Sequence, residues 1–304
     1  MRWIKQGLIY CAGGTQGWAQ SHAALPTPYR LSDSVLRIYC AFRGTEKNVS
    51  RIGYVDVSAD NPKDIIGVSA QPVLDIGCPG AFDDNGVVPV SVVSCGDLLY
   101  LYYGGFELGV KVPYTLFSGL AVSSDGGDGF TRRRQTPILE RSDGELFFRT
   151  APHVIRDGEI WKMWYIAGSG WIEHGGKLLP RYSVHYLESP DGVQWGDEGQ
   201  PCLFLQGDEH GFGRPYVVKD AQGYRMYYSI RSLSKGYRLG YAQSSDGKTW
   251  VRQDEDMGLD VSARGWDSQS VCYSAVIGHK DRLYCFYNGN HFGETGFGYA
   301  EMAL

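Results

Sequence analysis

Five stretches recurring about every sixty residues limit what this chain can fold into more than any other feature. Each pairs a short apolar run with an aromatic-rich one across a polar turn: "PTPYRLSDSVLRIYCAFRG", "GVVPVSVVSCGDLLYLYYGG", "TAPHVIRDGEIWKMWYIAG", "RPYVVKDAQGYRMYYSIRS" and "SVCYSAVIGHKDRLYCFYNGN". With Tyr39, Tyr102, Trp164, Tyr227 and Phe286 as equivalent positions, the intervals are 63, 62, 63 and 59 residues. A period of this length marks an architecture built by repeating one supersecondary unit. Each unit continues into a third apolar run: "RIGYVDVS", "FSGLAVSSDG", "YSVHYLESPDG", "RLGYAQSSDG" and "GFGYAEMA". Such units predict an all-β fold, a five-bladed β-propeller whose small radial sheets hide their edges against one another. Residues 1–304 are read as one domain, with the N-terminal "RWIKQGLIYC" supplying an outer strand to the last blade.

Composition agrees with this reading. The 41 Gly, 21 Tyr and 8 Trp favour turns and strands over long helices. A formal charge of −5 argues against the clustered basic surface that phosphate-backbone binding needs, so no nucleic-acid partner is expected. The N-terminus lacks an apolar core of signal-peptide type, and no run of about 18 apolar residues follows, which predicts a cytoplasmic chain without membrane insertion. The seven Cys include no CxxC, and Cys40, Cys272 and Cys285 fall in strand-like runs, so they read as buried free thiols. No GxGxxG after a strand, P-loop or HExxH is present, and neither a cofactor nor a metal-ligand set is predicted.

Three units carry a turn of the form S-x-D-G-x-x-W or a looser copy: "SPDGVQW", "SSDGKTW" and "SSDGGDGF". Asp and Gly supply turn geometry and Trp packs between blades, so these are read as structural.

Chemistry is expected on the face where inner strands begin and second strands end. The hairpins of the opposite face, "LSDS", "SCGD", "RDGE", "DAQG" and "GHKD", are ordinary solvated turns. The axial group contains Asp83, Asp84, Glu209 and Asp267 as candidate acids and bases, with His22, Arg43, Arg149, His153, Arg214, Arg231, Gln269, Asn288 and Asn290 as candidate ligand contacts. Convergent polar groups in a concave pocket form the default site. Each member has a plain structural alternative, such as a turn bond for Asp83 or Asp84 and an ion pair for Arg149 or Arg214. Phe106, Tyr114 and Trp171 fall in longer connections that are expected to fold over the mouth or pack within blades.

The stretches "FDDNGVVP", "GFGRP", "GWDSQSVCY" and "YNGNHFGETGFGYA" resemble the five-bladed propeller glycosidases: glycoside hydrolase families 43, 32, 62 and 68, and the mannoside phosphorylases of family 130. They resemble more closely a group of bacterial propeller proteins labelled glycosylases and associated with surface-polysaccharide biosynthesis. The resemblance covers nearly the whole chain. It implies an Asp on the first blade, an Asp on the second and a Glu on the third. Here "SHAALPTP" carries no acid and "FFRTAPHV" has Arg149 without Glu, so only Asp83 and Asp84 match. The arginines point to an anionic ligand, because Arg suits bidentate phosphate or carboxylate recognition. Two readings follow. One is an enzyme cleaving or transferring a glycosyl group on a nucleotide sugar, sugar phosphate or acidic glycan; the other is a non-catalytic saccharide-binding propeller.

Overall fold

The computed structural model describes residues 1–14 and 16–303. Strand β1 (Ile4–Tyr10) comes first, and the remaining strands fall into successive antiparallel units. The first unit is β2 (Ser21–Arg30), β3 (Val35–Arg43), β4 (Ser50–Ser58) and β5 (Ile65–Val68). The second is β6 (Val87–Cys95), β7 (Leu98–Leu108), β8 (Tyr114–Ser123) and β9 (Thr131–Arg132). Next come β10 (Arg149–Asp157), β11 (Ile160–His174), β12 (Lys177–Ser189) and β13 (Gln200–Leu203). The fourth unit is β14 (Glu209–Asp220), β15 (Gly223–Ser232), β16 (Arg238–Ser244) and β17 (Val251–Arg252). The last is β18 (Cys272–His279), β19 (Arg282–Asn288) and β20 (Phe297–Ala303), against which β1 pairs antiparallel, Leu8 opposite Gly298. Among the described residues no helix is long and apolar enough to cross a membrane.

Burial grades outward within a unit. The run "LRIYCAF" of β3 is buried on both faces, whereas the outer β5 is largely exposed. A strand covered on both faces needs a near-continuous apolar run, which is what the aromatic-rich repeats supply. Apolar clusters lie between consecutive units. Tyr39 and Ile52 meet Leu101 and Phe117 between the first and second, and Leu36 and Phe42 meet Phe286 and Tyr299 between the first and last. Each such side chain contributes roughly 1.5–3 kcal/mol on burial. The inner strands touch in the order β2, β6, β10, β14, β18 and back to β2.

The repeat column acquires a physical reason. Tyr39 donates to the Gly127 carbonyl at 3.0 Å, Tyr102 to Gly192 at 2.8 Å and Trp164 to Gly247 at 2.8 Å. Each accepting glycine belongs to the S-x-D-G-type turn of the following unit. In that turn the serine hydroxyl accepts from the glycine N–H and the aspartate from the next amides, as at Ser189 and Asp191. These turns tie neighbouring units together. Cys40, Cys202, Cys272 and Cys285 are buried free thiols.

Two expected loops turn out to be strand. Phe106, Tyr114 and Trp171 lie in extended hairpins, β7–β8 and β11–β12, because cross-strand pairing continues to Leu108↔Tyr114 and His174↔Lys177. Their rings form a chain, Phe106 to Tyr114 at 6.1 Å and Tyr114 to Trp171 at 5.6 Å, so they pack as a wall between two units.

Candidate functional site

Three of the four candidate acids are already occupied. Asp83 is 1% exposed; its Oδ2 accepts from the Tyr103 hydroxyl at 2.9 Å and from Arg132 Nε at 2.8 Å. Asp267, 2% exposed, accepts from Lys5 at 2.6 Å and from the Tyr287 hydroxyl at 3.0 Å. Glu209 holds Arg252 through both oxygens at 2.8 and 2.9 Å, and the same guanidinium reaches Asp254, which accepts from Tyr228. The third unit has an equivalent that the sequence reading passed over. Glu145 accepts from Tyr165 at 2.6 Å and pairs with Arg149 at 2.5 Å. A tyrosine hydroxyl, a carboxylate and a cation thus form a lock in four units, and Cys40 stands where the first would carry its tyrosine.

Arg149, placed in the ligand group by sequence, is spent on this scaffold: besides Glu145 it donates to the carbonyls of Glu140 and Gly196. Asn288 accepts from Leu25 N–H and donates to the Ala23 and Gly296 carbonyls, leaving no free polar atom. Asn290 accepts from Gln269 and Ser270 and donates to Gly265. Gln269 is exposed, and its backbone rather than its amide makes these contacts. Asp84 differs from the other acids. It is partly exposed, and among the described residues it belongs to no ion pair and the only partners of its carboxylate are Gly80 N–H and the Asn85 amide.

The axial cavity encloses about 100 Å³ and is lined by Leu25, Val88, Ala151, Gly213, Arg214 and Tyr273 from the inner strands. Phe106, Phe148, Tyr182 and Tyr237 add an aromatic wall, and the lining contains no Asp or Glu. Each inner strand carries a register shift at this level, and Leu25, Ala151, Arg214 and Tyr273 have positive φ there, 52°, 51°, 38° and 57°. The second unit has its shift at Pro89–Ser91, where proline fixes φ negative. Bulges and left-handed backbone at non-glycine residues cost about 1–3 kcal/mol each and re-aim side chains, here toward the axis.

Arg214 is the floor. Its guanidinium donates to Pro26 O at 2.8 Å, Thr27 Oγ1 at 2.8 Å, Val90 O at 3.1 Å and Tyr273 O at 3.1 Å, spanning three other units. No carboxylate faces it, Nε has no partner, and burial pulls the guanidinium down to about 10. Above the floor, Arg231 donates to the Tyr182 hydroxyl at 2.5 Å and sits 5.3 Å from the Tyr237 ring centroid. Burial lowers Arg43 against the opposing pull of Tyr273 and Glu294, and among the described residues its only side-chain hydrogen-bond partner is Asn48 at 3.1 Å. Burial, then the Arg43 charge, hold His22 at about 4, so its ring is neutral. His153 lies on the other side of the floor, in a cavity of about 520 Å³ with Tyr216 and Val217. It donates through Nε2 to Val217 O at 2.9 Å, and burial and Arg214 keep it at about 3 despite that bond.

The sequence reading also missed Phe292. It is 47% exposed, follows His291 at positive φ with φ 60° of its own, and contacts Tyr237 at 5.4 Å. Its exposed ring stands beside Tyr237 of the cavity wall, held there by a strained turn.

No protein-family model matches this chain. The Mycobacterium tuberculosis (strain H37Rv) "Uncharacterized protein Rv1502" is 38% identical over 303 residues, 99% of each chain. A solved glycoside hydrolase aligns with a TM-score of 0.74 at 21% identity, covering 98% of this chain and 90% of its own. The β-1,2-mannobiose phosphorylase of Listeria innocua, solved with β-1,2-mannobiose, aligns with a TM-score of 0.69 at 12% identity over 99% of this chain and 96% of its own. The chain therefore belongs to the family of that mycobacterial protein and shares the fold of these two solved proteins.

Proposed function

We propose that this protein is a carbohydrate-active enzyme, built as a closed five-bladed propeller, that transfers a glycosyl group using an anion held at the axial cavity. The propeller reading rests on the cyclic contacts of the inner strands and on apolar packing between the first and last units. One observation carries the functional reading. Arg214 lines a cavity without carboxylates together with Tyr182, Tyr237 and Tyr273, Arg231 bonds that Tyr182 and lies against that Tyr237, and one candidate acid, Asp84, stays outside every ion pair among the described residues.

Hydrolysis by two carboxylates requires a second free acid, and Asp83, Glu209 and Asp267 are each held by a cation. Phosphorolysis requires only one. The phosphate dianion is already a nucleophile, and arginine forks hold it against the anomeric carbon. In this reading Asp84 protonates the departing glycosidic oxygen, Arg43 and Arg231 hold phosphate, and Phe292 stacks on the sugar. The loop bearing Asp84 is tied to the cavity wall, since Asn85 N–H donates to the Phe106 carbonyl at 3.0 Å. Sugar phosphates and nucleotide sugars of bacterial surface-glycan assembly join a glycosyl group to such an anion. In the direction written a glycoside is the substrate and a sugar 1-phosphate the product; in the reverse, glycoside-forming direction these anionic donors are the substrate class this reading favours.

The second reading, a saccharide-binding protein without turnover, draws on the same absence of acids from the lining. Incubating purified protein with mannosides, sugar 1-phosphates and nucleotide sugars, with and without inorganic phosphate, separates the two. The enzyme reading expects phosphate-dependent turnover, lowered about 10²-fold or more in Asp84→Asn with binding retained. Binding without turnover, unchanged in Asp84→Asn and lost in Arg231→Ala, would replace it with the binding reading.

A further inference from the structure

Glu145 has neighbours that the lock does not explain. His185 Nδ1 lies 2.7 Å from Glu145 Oε1, and His185 Nε2 lies 3.1 Å from Ser183 Oγ. Ser183 and His185 are two residues apart on β12 and therefore share one strand face, opposite to the face of Tyr182, which lines the axial cavity. Burial pushes the Glu145 carboxyl up, but the bonds from His185 and Tyr165 and the charge of Arg149 outweigh it and hold it below the ordinary carboxylate range. An ionised carboxylate only accepts. His185 Nδ1 therefore carries the ring proton, and Nε2 presents a lone pair to the serine hydroxyl.

Exposure follows the order such a relay needs. The Glu145 side chain is 3% exposed, His185 15%, and Ser183 is partly open to solvent. Beside the pair, the β12–β13 ladder shifts register between Val184 and His185. Irregularities of this kind recur next to active sites, where they re-aim side chains.

We infer that Ser183, His185 and Glu145 form a nucleophile, base and orienting carboxylate that cleave small acyl esters, at a site independent of the axial cavity. Ser183 Oγ attacks the ester carbonyl carbon while its proton passes to His185 Nε2. The C–O bond to the alcohol breaks, and the alcohol leaves with that proton. Water then attacks the acyl-serine by the same route, releasing the carboxylic acid and restoring the serine. Glu145 keeps its charge throughout; it fixes the imidazole tautomer and stabilises the imidazolium. Arg149 and Tyr165 share that carboxylate, which holds it in place and draws off part of its charge, so turnover is slow.

The test uses the full chain with p-nitrophenyl acetate for turnover and a fluorophosphonate for trapping, read by intact mass and peptide mapping. The inference expects a single adduct on Ser183, absent from Ser183→Ala and His185→Gln, with acetate release lowered about 10²-fold or more in both. Circular dichroism checks that the variants fold. Ser183→Cys keeps a nucleophile at the position and is expected to retain an acetyl burst. No adduct, an adduct on another residue, or equal acetate release from wild type and Ser183→Ala overturns the triad.

Discussion

The Asp83–Tyr103–Arg132 lock and the axial cavity are made of the same side chains, arginine and tyrosine, and differ in one component. In the lock a carboxylate joins them at 2.8–2.9 Å; Arg214 in the cavity lining, and Arg231 behind its Tyr182 and Tyr237, meet hydroxyls, carbonyls and ring faces. A buried charge with a partner is silent, because its field is answered within the protein. A buried charge without one remains available to a ligand, and its cost is carried by the scaffold. Residue type alone does not separate scaffold from site; the whereabouts of the counter-charge does.

The largest expected effect is at the cavity floor. Arg214→Met removes four donors and leaves the Pro26, Val90 and Tyr273 carbonyls buried and unanswered, at a cost of about 4 kcal/mol. Urea unfolding against wild type measures it, and a loss under about 1 kcal/mol would mean that the axis is held elsewhere. Next is Asp83→Asn, which strands Arg132 beside Tyr103 and costs about 3 kcal/mol. Asp84→Asn, one residue along, keeps an acceptor for Gly80 N–H and is expected within about 0.5 kcal/mol of wild type. Equal destabilisation by the two would erase the distinction between lock and site.

Much of the fold was legible because the repeat column is itself a contact: Tyr39, Tyr102 and Trp164 each bond the turn of the next unit, so their spacing had to persist. The locks were half legible. Asp83, Glu145 and Asp267 each precede their bonded tyrosine by 20 residues, a spacing that would have found Glu145 and set Asp83 beside it as scaffold. The cations of Asp83 and Asp267 were not legible, since Arg132 and Lys5 come from outer strands far along the chain from the acids they hold, whereas Arg149 lies only four residues from Glu145. Tyr237, Tyr273 and Phe292 were hidden for another reason. Positive φ at Tyr273 and Phe292 sets where their side chains point, and no periodicity encodes it.

A further effect tests the absence of a carboxylate at the axis by pH. His153 has Arg214 for a neighbour and a carbonyl for its one partner, so protonation finds no answering charge, and its imidazole stays at about 3. In the unfolded chain a histidine titrates near 6.5. The folded-state value is depressed, so below pH 6.5 the unfolded chain takes up a proton that the folded chain refuses, and stability falls until about pH 3. Between pH 6.5 and 5 this amounts to about 2 kcal/mol, in a window where ordinary carboxylates, titrating near 4, are still ionised. His22, held at about 4, adds to the same slope. Urea midpoints at pH 7 and pH 5 are expected to differ by about 2 kcal/mol less in His153→Gln, which keeps a donor for Val217 O but has no proton to gain. Equal slopes would mean that folding does not depress the His153 imidazole and that burial beside Arg214 does not set its titration.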